Sequence, residues 1–277
     1  MKKSYNLSIC DILIHYALNG MDSSIKERLL PFVKEDKAYD MEINVDKVKK
    51  IEFPKESVPI SVSNFNYVLG KEKNYIWADY CKTALISSST DWCKATICAT
   101  RNMHFHIEES YLLNLLQGIL SKNNGFILHG SVIEYKNQGI IFTASSGVGK
   151  STQAQLWKEY EKAEIINGDK AFIRDFKENI MVYGSPWSGS SNIIKNKKVP
   201  LKGIVILKQG KENKIRKLEG LEKFSLFNTH VYYPYWDKNL VNLVMETLNV
   251  VLKKLPIYLL TCKIDKEAVE VVKNTLF

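Results

Sequence analysis

The stretch FTASSGVGKSTQ, residues 142–153, decides how the chain is read. It continues an apolar run, GIIFTA, and leads into STQAQLWKEY, whose spacing predicts a helix. Strand, glycine-bearing loop and helix, in that order, are the context required by the phosphate-binding pattern G-x-x-x-x-G-K-[ST]. Gly149, Lys150 and Ser151 fit the pattern, Gly147 adds a second glycine, and Ala144 stands at its first position. Alanine adopts most of the backbone geometry of glycine unless φ must be positive, so Ala144 is a small departure. The residue types follow from the chemistry. Gly147 and Gly149 let successive backbone N–H groups turn toward phosphate oxygens, and the following helix aims the positive end of its dipole at the same oxygens. Lys150 supplies a point charge for the β and γ phosphates, and Ser151 offers a hydroxyl to Mg2+. The expected nucleotide-binding residues are Ser146, Gly147, Val148, Gly149, Lys150, Ser151 and Thr152, with ATP and Mg2+ as the expected cofactors, although the loop itself does not set ATP over GTP or another phosphoryl donor.

Around this loop the second part of the chain alternates strands and helices. GFILHGSVIEYKNQGIIFTA predicts a hairpin about the turn signal Lys136-Asn137-Gln138-Gly139. AEIING predicts a short strand, KAFIRDFKENIMVYG a hairpin, PLKGIVILKQG a buried strand, and DKNLVNLVMETLNVVLKKL a long helix. PIYLLTCKI and DKEAVEVVKNTLF predict a final strand and helix. The fold class expected is α/β with a mixed sheet. Before residue 109, runs such as VPISVSNFNYVLG and ATICATRNMHFHI are rich in β-branched and aromatic residues, and SIKERLLPFV is helical up to Pro31. The division expected is a mostly β region over 1–108 and a core over 109–277. The leucine stripe of EESYLLNLLQGILSKNNG predicts an amphipathic helix at the join.

One residue outside the loop has the chemistry a phosphoryl-transfer site needs. Asp169 closes a short apolar strand one helix after the loop, where a metal-orienting carboxylate is expected. NGDK is also a strong turn signal in its own right. His129, ahead of the hairpin, reads equally as a core histidine on a strand. Lys170 and Arg174 read as a solvated strand face. Lys195, Lys197 and Lys198 read as a solvated loop that also offers cations to an anionic substrate.

Composition sets outer limits. Of 277 residues, 45% are apolar and 25% charged, ordinary values for a globular protein. No run is apolar for long enough to span a bilayer, and the start, with Asn6, Ser8 and Asp11, does not read as a signal peptide. Five cysteines, Cys10, Cys81, Cys93, Cys98 and Cys262, form no C-x-x-C pair, which favours free thiols in a reducing cytoplasm. The net charge is +9. Residues 1–108 hold 15 basic and 14 acidic side chains, and the remainder holds 24 and 16, so the excess lies with the glycine loop. An anionic ligand there fits, and so does a lysine-rich proteome, since arginines number only four. No basic stripe with interleaved aromatics argues for nucleic acid.

LHGSVIEYKNQGIIFTASSGVGKST, followed by IINGDKAFIR and YGSPWSG, resembles the catalytic domain of the HPr kinase/phosphorylase family and its small relatives. These share a P-loop core with the phosphoenolpyruvate carboxykinases, and the resemblance covers residues 109–277. It implies that His129 lies close to the reacting phosphoryl group. It implies that Asp169 matches the second of two consecutive aspartates that orient Mg2+ and take the proton of a serine hydroxyl. Ser151 and Asp169 are then the metal-side residues, and His129, Asp169 and Lys150 the catalytic ones. Here Gly168 stands where the family has its first aspartate. The segment Ser185-Pro186-Trp187-Ser188-Gly189 matches a loop over the active site, with Trp187 either a lid or a core anchor. The family's RG-x-G stretch is absent, and the matching segment reads SSNIIKNKKVPLKG. The resemblance implies a cytoplasmic Mg-ATP-dependent kinase acting on a serine hydroxyl of a peptide or small protein, as some small relatives do in peptide maturation. A homo-oligomer is compatible with it. Two other readings stand beside it: a nucleotide-binding regulator with little turnover, and a kinase of a small molecule such as free serine or a keto acid.

Overall fold

The computed structural model describes residues 2–20, 25–36, 38–54, 58–101 and 105–277. It is a mixed α/β structure of two compact units, each with a mixed, nine-stranded set of pairings. Among the described residues no helix is long and apolar enough to cross a membrane.

The first unit comprises Met1–Asn123 and Pro234–Leu243. Its strands are β1 (Lys2–Ile9), β2 (Ile12–Asn19), β3 (Val33–Lys34), β4 (Met41–Lys47), β5 (Ile60–Val62), β6 (Phe65–Leu69), β7 (Lys73–Ala78), β8 (Cys81–Ser89) and β9 (Lys94–Ala99). Their order is β3-β1-β2-β4-β9-β8-β7-β6-β5, with β4 parallel to both neighbours. The segment expected to be helical before Pro31 is a 3-10 turn, Glu27–Phe32, with Pro31 inside it. Helix α1 (Phe105–Lys122) belongs to this unit rather than opening the core. Its leucine stripe is buried, and the Tyr111 hydroxyl accepts from the Ala78 amide at 3.1 Å while donating to the Ala84 carbonyl at 2.9 Å. Tyr67 donates to Asn114 of the same helix at 2.6 Å. These bonds tie α1 to the strands before it.

The second unit comprises Asn124–Tyr233 and Val244–Phe277. Its elements begin with β10 (Gly125–Tyr135), β11 (Gln138–Thr143), α2 (Lys150–Glu161), β12 (Glu164–Asn167), β13 (Lys170–Asp175) and β14 (Ile180–Tyr183). They continue with β15 (Lys198–Gln209), β16 (Lys214–Lys217), α3 (Gly220–Asn228), β17 (Val231–Tyr232), α4 (Lys238–Lys254, of which Val244–Lys254 belong to this unit), β18 (Ile257–Cys262) and α5 (Lys266–Leu276). The β10–β11 hairpin is tighter than its sequence signals: Tyr135 pairs with Gln138, and only Lys136 and Asn137 form the turn, at φ of 51° and 61°. Two left-handed residues in a two-residue turn match the twist of the strands they join. Trp157, Phe142, Ile133, Val205, Leu260 and Val272 form the core behind the glycine loop, so α2 and α5 are packed down by their apolar faces.

One strand places the site. The first half of β10 pairs with β13 and β17, and its second half with β11 and β12. The change of partner falls at His129, opposite Lys170, and Gly130, opposite Thr143. Leu128 faces Val231 of β17, and Val132 faces Asn167 of β12. The middle of β10 therefore gathers the ends of β11, β12, β13 and β17 within five residues. Gly130 is needed there: an added Cβ would lie 2.7 Å from Ile141 Cγ2 and 3.0 Å from the Phe142 carbonyl oxygen.

Candidate active site

The loop between β11 and α2 takes its shape from glycine. Gly147 has φ 80° and Gly149 φ 123°, conformations L-residues rarely adopt. A Cβ at either would meet nothing within 4 Å, so conformation, not space, requires the glycines. Ala144 is not among the left-handed residues, and it is buried in the core behind the loop. The first position of the pattern thus needs a small side chain for packing. Gly149 caps α2, no side chain caps its first turn, and that turn holds no acidic residue. The N–H groups at this helix start are left directed at a ligand, with the dipole favouring an anion.

Lys150 is almost fully buried at the base of this loop. Its Nζ donates to the carbonyls of Ala144 at 2.9 Å and Ser145 at 3.2 Å. Burial pushes its ammonium below the usual lysine range, and Asp169 partly offsets that. A desolvated cation held by two carbonyls can exchange them for the oxygens of an anion.

A cavity of about 270 Å³ joins the loop to β10 and the segment after β12. Ser146, Gly147, Gly149, Lys150, Ser151 and Thr152 line it from the loop side, and His129, Gly168, Asp169 and Ser190 from the other. Val148 is the one expected residue not on this wall; its side chain packs against the core. Asp169 Oδ1 lies 3.3 Å from His129 Nδ1, and Oδ2 lies 2.5 Å from Lys170 Nζ. His129 first, and then Lys170, hold the Asp169 carboxyl well below the usual range against the opposing effect of burial. Lys170 is therefore a site residue, not a solvated one, and its amine also sits 5.7 Å from the centre of the Tyr232 ring. Tyr232 Oη is 3.5 Å from His129 Nδ1, and burial, helped by Asp169, pushes that phenol up to about 12.

The residue that builds the second wall went unremarked in the sequence. Asn167, at the end of β12, is fully buried. Its Oδ1 accepts from the amides of Asp169 and Lys170, both at 2.9 Å. Its Nδ2 donates to the Ser185 carbonyl at 3.1 Å and to Ser185 Oγ and the Trp187 carbonyl at 3.2 Å. One amide thus fixes both the Asp169 turn and the segment beginning at Ser185. The only sequence trace of this is an asparagine two residues before an aspartate, the spacing of an Asx turn. Ser131 Oγ adds a bond to the Gly168 carbonyl at 3.0 Å, and the Gly130 amide donates to the Asp169 carbonyl at 2.9 Å.

Gly168 has a physical reason. A Cβ there would lie 2.1 Å from Ser191 Oγ and 2.5 Å from Ser191 Cβ. The short turn Gly189–Ser191 occupies the space a first aspartate would need, so the site has one carboxylate by construction. Trp187 is buried and stacks on Phe172 with centroids 5.6 Å apart, which makes it a core anchor. Arg174 is buried with its guanidinium 4.8 Å from the Phe176 ring centre, and it does not line the cavity. Lys195 and Lys197 are ion-paired to Glu164, and Lys197 also to Glu134, so these two cations hold the segment before β15 to the sheet.

No family model matches the chain, and no curated protein does. Among solved structures it is similar to the HPr(Ser) kinase/phosphatase from Coxiella burnetii, at 8% identity and a TM-score of 0.33, over 54% of this chain and 95% of that one.

Proposed function

We propose that the second unit is a Mg-ATP-dependent phosphotransferase whose acceptor is a serine hydroxyl of a peptide or small protein. One observation carries the reading: a glycine loop with an uncapped helix start and a buried lysine faces a histidine–carboxylate pair across one small cavity. The loop amides and Lys150 hold the β and γ phosphates. Mg2+ usually takes one or two protein carboxylates and completes its shell with phosphate and water. Ser151 and Asp169 both line the cavity and are the side chains that would hold the ion. When bound there, the ion neutralises charge on the transferring group.

The remaining chemistry belongs to side chains of this chain. With Nδ1 on Asp169, His129 presents Nε2 as the base. The acceptor O–H bond breaks, its proton passes to Nε2, and the oxygen bonds to the γ-phosphorus. The bond from that phosphorus to the bridging oxygen breaks, and ADP leaves with the electron pair, its charge met by Lys150. Asp169, held ionised, keeps the ring oriented and stabilises the imidazolium. The test is transfer of radiolabelled γ-phosphate to a pool of serine-containing peptides by the wild type, Lys150→Ala and Asp169→Asn. Label on peptide that disappears in both variants is the expected result. ATP binding with no label, and with residual hydrolysis equal in all three proteins, favours the nucleotide-binding regulator, a reading kept in view by the single carboxylate that Gly168 leaves.

A further inference from the structure

A second cavity, of about 280 Å³, lies on the other side of His129. It is lined by Ala144 and Ser145, where the glycine loop begins, and by Thr229, His230, Val231 and Tyr232 around β17. His129 is the residue common to both cavities. Resting on the phosphotransferase reading above, we propose that this second cavity holds the acceptor, and that it selects a serine or threonine side chain embedded in a peptide over a free amino acid or keto acid.

Two arguments lead there. The first is position. A phosphoryl transfer needs the acceptor oxygen beside the γ-phosphorus, in line with the leaving oxygen and within reach of the group that takes its proton. His129 is the meeting point: it lines both cavities, its Nδ1 has Asp169 Oδ1 at 3.3 Å and Tyr232 Oη at 3.5 Å, and its amide donates to the His230 carbonyl at 2.9 Å. The glycine loop, its lysine and the Ser151 hydroxyl all serve the first cavity, so the second is not needed for phosphate.

The second argument is charge. No lysine, arginine, aspartate or glutamate lines the second cavity. His230 is half-buried, and burial, with His129 and Lys150 nearby, pushes its imidazole below the ordinary range, which keeps it neutral. Tyr232 stays a protonated donor for the reason already given. A wall of hydroxyls, neutral imidazole, a valine and an alanine offers no charged partner for the ammonium and carboxylate of free serine. It suits the neutral amides on either side of a serine within a chain. Among the described residues β17 pairs with β10 alone, so its short backbone is placed to meet an extended segment.

The test compares two probes on the full chain: a pool of N-acetylated, C-amidated pentapeptides with a central serine, and free L-serine. The imidazole resonances of 13C-histidine-labelled protein loaded with a non-hydrolysable ATP analogue are followed, with His230 assigned by its loss in His230→Gln. The expected result is that the analogue alone leaves the His230 signal in place, the blocked peptides move it, and L-serine at equal concentration does not. Labelled-phosphate transfer is then expected to favour the peptides by at least about tenfold in kcat/KM. His230→Ala is expected to raise KM for peptide about tenfold with the ATP dissociation constant unchanged. If the analogue itself moves the His230 signal, or His230→Ala weakens ATP instead, the cavity belongs to the nucleotide and the proposal falls. If L-serine binds or reacts as well as the peptides, the charge argument is overturned. Peptide binding at His230 without any transfer removes the kinase reading and leaves the binding site standing. Transfer without any His230 response removes the site and leaves the kinase.

Discussion

The glycine loop between β11 and α2 owes its shape to backbone dihedrals, whereas the 167–170 turn owes its shape to one buried side chain. Both line the same cavity. The loop is open: a methyl group added at Gly147 or Gly149 would touch nothing within 4 Å. The turn is closed, with Asn167 fully buried and Gly168 pressed against Ser191. Strain in an open loop is relieved by moving the loop, which harms ligand binding. Damage in a closed turn has nowhere to go, and harms the fold.

Substitutions at the two walls are expected to separate along this line. The largest loss of stability is expected from Asn167→Leu, which takes away the partner of the Asp169 and Lys170 amides and of the Ser185 carbonyl, while the Trp187 carbonyl keeps its bond from Ser185 Oγ at 3.1 Å. Buried groups left unpaired cost about 1–3 kcal/mol each where water cannot reach them, and partial relaxation puts the expected total near 3 kcal/mol, read from urea unfolding. A near-neutral Asn167→Leu would break the comparison. Gly168→Asp is expected to cost about 2 kcal/mol by overpacking against Ser191, with no gain in phosphate transfer. A faster enzyme would mean that the single carboxylate is a deficiency and not a consequence of packing. Gly149→Ala is expected to do the reverse, with unfolding almost unchanged and ATP about tenfold weaker by calorimetry, since forcing a left-handed alanine costs about 1–2 kcal/mol.

The smallest expected effect is electrostatic. Lys195, followed by Lys197, lowers the Glu164 carboxyl to about 2. A depressed folded-state value means stability that is present above the ordinary carboxylate range and lost as pH falls toward about 2. The Glu164 side chain is 40% exposed, so solvent screening limits the contribution to about 1 kcal/mol or less. Glu164→Gln is expected to be slightly less stable than wild type at neutral pH and equal to it near the acid end. A gap that persists in acid would show that packing, not charge, links the segment before β15 to the sheet.

The same contrast explains what could be read from the sequence. Gly147 and Gly149 were legible because a backbone of positive φ restricts the residue type strongly. The β10–β11 hairpin and the helix after the loop were legible from periodicity. The second wall was not. Asn167 is an ordinary residue whose role depends on Ser185 and Trp187, which come together with it only in the fold. Strand β17 has two residues, too few to show any period, yet both line the second cavity. Lys170 looked like a surface lysine because nothing local places Tyr232 over it. Helix α1 was recognised as an amphipathic helix at the join, but an apolar stripe gives a face and not the sheet it covers.

The change of partner at His129 and Gly130 has a consequence for how the site opens. Side chains of a strand alternate, so a slip of β10 by one residue would turn every inward group outward. His129 and Gly130 give their amides to His230 and Asp169, which belong to different walls. No local opening of β10 frees one wall and spares the other. Slow amide exchange at these two positions should therefore be lost together, as one event, and the two cavities should appear and vanish as a single cooperative unit.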